Sequence, residues 1–125
     1  MGDLLAQGSA WLEAQRTAHL TQPVVYQRGT LTVQVAASIG KTVFQVDNAS
    51  GFLERIESRD YLVLASELVL AGQQALPQRG DRIREAAGGS ELVYEVMAPG
   101  SEPCWRYSDP YRQTLRIHTK LIGVE

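Results

Sequence analysis

Pro23-Val24-Val25-Tyr26-Gln27-Arg28-Gly29-Thr30-Leu31-Thr32-Val33-Gln34-Val35-Ala36 carries a period of two. Val24–Tyr26 leads into a turn at Gln27–Thr30, where a glycine supplies the tight bend. Leu31, Val33 and Val35 then alternate with Thr32, Gln34 and Ala36, the pattern of a strand with one wet face. Downstream, a short apolar run from Thr42 to Val46 precedes the loop signal Asp47-Asn48-Ala49-Ser50-Gly51. Phe52–Glu57 alternates again, and Tyr61-Leu62-Val63-Leu64, apolar on both faces, reads as a central strand. Ala65–Ala71 fits a helical turn or a strand end. Pro77–Asp81 is a turn feeding Arg82-Ile83-Arg84. Gly88-Gly89 breaks that strand before Leu92, Tyr94 and Val96 form the next inward row. Pro99–Pro103 reads as a loop, and Thr114–Lys120 as a last strand.

Upstream of Pro23 the period is helical. Leu4, Leu5, Gly8, Trp11, Leu12, Gln15 and Ala18 recur at three- and four-residue steps, which puts the large apolar groups on one stripe. Asp3 suits the first turn, and Gln22-Pro23 ends the helix because a residue before proline leaves the helical region. Gly8 weakens such a helix by about 1 kcal/mol relative to alanine. The stripe therefore needs a partner, either the rest of the domain or another subunit. The expected architecture is α+β and mostly β: a helical segment over residues 1–22, then a small antiparallel β-barrel or sandwich of six to seven strands over 23–125, one domain overall.

Composition narrows the function classes. The chain has 125 residues, 44% hydrophobic and 21% charged, which is ordinary globular usage and excludes wholesale disorder. A net charge of −2 excludes a bulk nucleic-acid coat. Cys104 is the single cysteine, so neither an internal disulfide framework nor a cysteine zinc cluster is expected, and a reducing compartment suits the chain. No apolar run approaches the ~20 residues that span a bilayer. Met1–Gln15 lacks a basic region, and Ala6 stands where a myristoylation signal needs Ser or Thr. A soluble, intracellularly made protein without membrane contact is expected.

Catalytic signatures are weak. Ser38-Ile39-Gly40-Lys41-Thr42 ends like a phosphate-binding loop, but Val35 occupies the position of its first glycine, and Val43–Val46 reads as strand where a helix is required. GxSxG is missing. The two histidines, His19 and His118, lie at the helix end and on the last strand, and His19 is explained by the helix dipole alone. Cys104 reads as a small packed hydrophobe, and no His or Cys pair stands at metal-ligand spacing. Glu54, Glu57, Asp60 and Glu67 could supply paired carboxylates, yet such a run reads as a solvated face. No catalytic residue, metal or cofactor is expected.

Charge and aromatic placement say more. Residues 105–125 sum to +2 while residues 61–104 sum to −3. On the last strand Arg116, His118 and Lys120 point away from Leu115 and Ile117, and with Arg106 and Arg112 they form a basic stripe. Such a stripe suits nucleic-acid phosphates, an acidic partner surface, or a charged outer strand that discourages edge pairing. Trp105, Tyr107 and Tyr111 fall within seven residues of a chain that holds nine aromatics. They suit either an interface anchor or a loop folded over a barrel end.

In this order the elements resemble the small head–tail joining (neck, or head-completion) proteins of tailed phages, the lambda-type joining proteins among them. The likeness is carried by Leu4–Ala18, the hairpin Pro23–Ala36, Arg55-Ile56-Glu57 with Tyr61–Leu68, the turn Pro77-x-x-Gly80-Asp81-Arg82-Ile83, Tyr94-Glu95-Val96 and Leu115-Arg116-Ile117. Trp105–Tyr111 and Gly88-Gly89 depart from that pattern. The resemblance implies a structural, non-enzymatic component of the virion neck, made in the host cytoplasm. Copies would form a ring, a hexamer by analogy, between the portal or adaptor and the tail tube or tail terminator. Packaged DNA would pass the bore without sequence readout. By the same analogy Val46, Asp47, Asn48, Ala49, Ser50, Gly51 and Phe52 would line or close the channel. Leu4, Trp11, Leu12, Trp105, Tyr107, Tyr111, Arg112, Arg116, His118 and Lys120 would meet neighbours. A tail terminator or baseplate adaptor, and a nucleic-acid-binding barrel, remain as alternatives. Against the last, the wet faces of Leu31–Val35 and Leu92–Val96 lack stacking aromatics.

Overall fold

The computed structural model describes residues 21–47 and 50–125. The expected helix, with Leu4, Trp11 and Leu12, lies outside the described residues, as do Asn48 and Ala49. In chain order the described elements are β1 (Gln22–Arg28), β2 (Leu31–Asp47), β3 (Leu53–Leu64), a 3-10 turn at Ala65–Glu67, β4 (Val69–Leu70), β5 (Gln73–Gln74), β6 (Arg82–Ala87), β7 (Ser90–Val96), β8 (Trp105–Tyr107) and β9 (Thr114–Val124). The described chain is thus mostly β, and its pairing is antiparallel throughout. Seven strands run in the order β3-β2-β1-β6-β7-β9-β8, and β3 also pairs with β9, so the hydrogen-bonded circuit returns to its first strand.

Three strands are longer than the sequence pattern implies: β9 runs on past Lys120 to Val124, and β2 and β3 each join two expected strands. Leu31–Ala36 and Thr42–Val46 belong to the single strand β2, and Phe52–Glu57 and Tyr61–Leu64 fall along the single strand β3 and its entry, because the register from Ala37↔Val63 to Asp47↔Leu53 is unbroken. The polar residues Ser38 and Ser58–Asp60 read as interruptions, yet Ser38, Ser58 and Asp60 are buried. Trp105–Tyr107, expected within a loop, forms the short strand β8 against Ile117–Leu115 of β9. The ambiguous Ala65–Ala71 resolves into the 3-10 turn and β4.

Inward-facing Val24, Tyr26, Val35, Ala37, Tyr61, Val63, Ile83, Val96, Leu115 and Ile117 make one apolar cluster, and removal of that surface from water drives the strands together. Leu68 and Leu70 join the cluster, so the segment after β3 seals one end of it. That segment is tied down by Ala65 N–H to Gln113 O (2.8 Å) and Ala75 N–H to Leu68 O (2.8 Å).

Beyond the circuit, β2 and β3 continue alone. β1 follows β2 only as far as Ala37, and β9 follows β3 only as far as Arg59. Thr42–Asp47 and Leu53–Ser58 therefore pair with each other and, among the described residues, with no third strand, as a two-stranded arm.

Candidate functional site

Alternation gives the arm two unlike faces. On one, Lys41, Val43, Gln45 and Asp47 oppose Arg59, Glu57, Arg55 and Leu53, and all but Arg59 are exposed. On the other, Thr42, Phe44, Val46 and Ile56 are half-buried. Phe44 meets the His118 ring edge-on, with centroids 5.0 Å apart. Gly100 lies so close to Val46 that a Cβ there would collide with its side chain. The connection carrying Gly100 is held to His118 at both ends, by Met97 N–H to His118 O (3.0 Å) and His118 N–H to Cys104 O (2.9 Å).

At the arm's base a carboxylate braces three strands. Asp60, with no exposed surface, accepts from Ser58 Oγ (2.5 Å), Arg116 Nη1 (2.6 Å), Thr42 Oγ1 and His118 Nδ1 (2.9 Å). Burial alone would raise its pKa. The donors from His118, Ser58, Thr42 and Arg116 outweigh burial and hold the carboxyl well below the usual carboxylate range. Gly40 makes room for this, since a Cβ there would stand 3.3 Å from both Arg116 Nη1 and Leu62 Cδ1. Although serine, histidine and aspartate meet here, they do not form a nucleophile–base relay. Ser58 Oγ lies 3.4 Å from Nδ1, the nitrogen that Asp60 already engages, and Ser58 itself donates to Asp60.

This cluster corrects two expectations. Asp60 is not part of a solvated acidic run. Nor does β9 present an exposed basic stripe: His118 is 2% exposed, Arg116 is half-buried against Asp60, and only Lys120 of the three is exposed. Arg116 and His118 keep to the face opposite Leu115 and Ile117, but that face is covered: Phe44 lies on the His118 ring, and Thr42 and Asp60 engage Arg116.

The arm overhangs a mouth of the circuit. Arg59 Nη2 donates to both Glu85 oxygens (2.8 and 3.0 Å), Tyr61 Oη donates to Glu85 (2.8 Å), and the guanidinium lies 5.0 Å from the Tyr94 ring centre. Burial would raise the Glu85 pKa, but the Arg59 and Tyr61 hydrogen bonds lower it overall. Around this plug Lys41, Glu57, Tyr94, Lys120 and Leu121 line a cleft of about 360 Å³. Elsewhere, Asp81 accepts from Tyr26 Oη, Arg28 and Gln78 N–H, pinning the Pro77–Asp81 turn to β1. Burial, then Asp81, pushes the Tyr26 phenol well above its usual range.

The expected interface and channel residues fall in separate places. Trp105 and Tyr107 are half-buried on β8, in edge-to-face contact at 5.0 Å, while Tyr111 and Arg112 are exposed in the next turn. Val46, Asp47, Ser50, Gly51 and Phe52 lie at the far end of the arm, and of these only Val46 is half-buried. Sequence reasoning passed over Leu53 and Leu121, which are 69% and 53% exposed: Leu53 sat in an alternating strand pattern, and Leu121 lay beyond the expected end of the last strand. Among the described residues no three His, Cys, Asp or Glu side chains converge as a metal site.

The charged clusters of this antiparallel β protein brace strands, and its most exposed large apolar residues among those described, Phe52 and Leu53, lie at the end of an arm. The chain is a member of the phage head-tail joining protein family, whose model matches residues 2–125. No curated protein matches it. It is accordingly a structural component of the virion that contacts other virion components.

Proposed function

We propose that copies of this chain assemble as a ring, a hexamer by family analogy, that joins the portal or adaptor of the DNA-filled head to the tail. The family match over nearly the whole chain carries this reading. In it, the strand circuit closes as a small barrel over residues 23–125, and the segment 1–22 packs on that barrel or on a neighbour. Residues 46–52 face the bore. Trp105, Tyr107, Tyr111, Arg112, Arg116 and Lys120 flank the contacts with neighbouring proteins, and His118 supports them from beneath. A slightly acidic chain, net −2, suits a bore through which a polyanion must slide without being gripped. The protein performs no chemistry in this role.

The test is electron microscopy of particles lacking the protein, with native mass spectrometry of the chain mixed with its portal complex. Filled heads that leak DNA and carry no tails, together with a symmetric oligomer, are expected. Free tails of wrong length would transfer the role to a tail terminator. A chain that stays monomeric with every virion component would overturn the ring.

A further inference from the structure

We propose that the far end of the β2–β3 arm of one copy seats in the mouth of the next, Leu53 and Asp47 entering beside Leu121, Lys41 and Lys120. The inference rests on the ring reading and narrows it, because Asp47 is assigned to the neighbour while the loop beyond it stays toward the bore.

The two surfaces are complementary. Leu53 and Asp47 are directly opposed across the strands and share one face of the arm. Leu53 is the second most exposed large hydrophobic among the described residues, and Asp47 forms no ion pair among them. The mouth offers the matching set. Leu121 is exposed beside the Tyr94 ring, Lys120 forms no ion pair among the described residues, and Lys41 reaches only Glu57, at 3.8 Å, which Arg55 holds more closely at 3.0 Å. An apolar side chain next to a carboxylate thus faces an apolar side chain next to two ammonium groups, a pairing that removes bare hydrocarbon from water and satisfies the charge.

The donor cannot reach the mouth of its own chain. Lys41↔Arg59, at the mouth, and Asp47↔Leu53, at the end, are six residues apart on a continuous ladder, roughly 20 Å at the usual rise per residue. Each copy therefore carries one unfilled donor and one unfilled receptor. Donor and receptor are different surfaces, so the contact is head-to-tail and repeats from copy to copy, closing as a ring when the rotation permits. That complementarity within one sequence identifies the occupant as a second copy.

The experiment uses the full chain with Cys104→Ser as background. Leu53→Cys and Leu121→Cys variants are mixed, incubated with the portal complex and treated with a short bis-maleimide. Cross-linked pairs are expected from the mixture and not from either variant alone. Separately, Lys120→Glu and Asp47→Lys should each weaken self-association about tenfold or more, and the two changes in one chain should restore it. Rings that form normally, give no cross-link and ignore both charge changes would overturn the inference and leave the ring reading intact. Charge variants that form normal rings but fail to join heads or tails would assign the mouth to another virion protein, which also overturns it. A chain monomeric under all conditions would remove the ring reading itself.

Discussion

His118 and Asp60 are directly opposed on β9 and β3, and Nδ1 meets Oδ1 at 2.9 Å with neither residue more than 2% exposed. A carboxylate held ionised can only accept, so Nδ1 carries a proton and the imidazole is fixed in one orientation. The pH dependence follows. Asp60 has its pKa lowered by folding, so the stability it contributes is complete above its unfolded value, near 4, and is lost as pH falls below that. Glu85 is shifted the same way and adds to the acid loss. Thermal melts from pH 7 down to pH 2 should show a falling midpoint below about pH 4, with a shallower fall in Asp60→Asn, which has no such proton to take up. An acid limb of equal slope in both proteins would dissociate Asp60 from acid stability.

Asp81 should be worth more than any one of its partners. Tyr26→Phe removes one hydrogen bond and leaves Arg28 and Gln78 N–H in place, a loss of about 1 kcal/mol. Asp81→Ala strands a buried phenol and a backbone donor and leaves the partly exposed Arg28 only Leu76 O, and should cost about 2–4 kcal/mol. Urea unfolding of both variants checks the ranking.

Much of the strand pattern was legible because alternation reports burial on one face, as at Val24–Tyr26 and Tyr94–Val96, although Leu31 is exposed and Val93 buried against that pattern. It failed where polar residues are buried. Thr42, Arg116 and His118 are 18, 56 and 58 positions from Asp60, and nothing local distinguishes a carboxylate with distant donors from one in water. The same blindness turned Ser38–Lys41 and Ser58–Asp60 into apparent breaks, and so hid the length of β2 and β3. Exposure of Leu53 and Leu121 was equally invisible, since it depends on the arm outrunning β1 and β9. The loop signal at Asp47–Gly51 was readable because its residue types favour turns wherever they occur.

Gly100 fixes the loop against the arm. Its φ of +57° is left-handed, and a Cβ there would also strike Val46. Gly100→Ala should cost about 1–3 kcal/mol through both effects. If the contact orders the arm, Val46 amide exchange should quicken in that variant relative to Val24, which lies in the core. An unchanged ratio would mean that the arm holds its position without the loop.

Asp109 organises the turn that delivers β9. Its Oδ1 accepts from Gln113 N–H (2.9 Å) and Thr114 N–H (2.8 Å), and its Oδ2 from Tyr111 N–H (3.0 Å). These bonds hold Arg112 at a φ of 58°, a conformation costing a non-glycine residue about 1–2 kcal/mol. Arg112 recovers part of that by lying 5.8 Å from the Tyr107 ring centre. Asp109→Ala removes both acceptor oxygens and their three bonds and should cost about 1–3 kcal/mol, whereas Asp109→Asn keeps one acceptor oxygen and should lose less than half as much. Thr114 begins β9 and is buried, so its amide exchange reads the turn directly. Fast exchange in the alanine variant and near-normal exchange in the asparagine variant are expected. Equal protection in both would show that β9 pairing alone sets the turn.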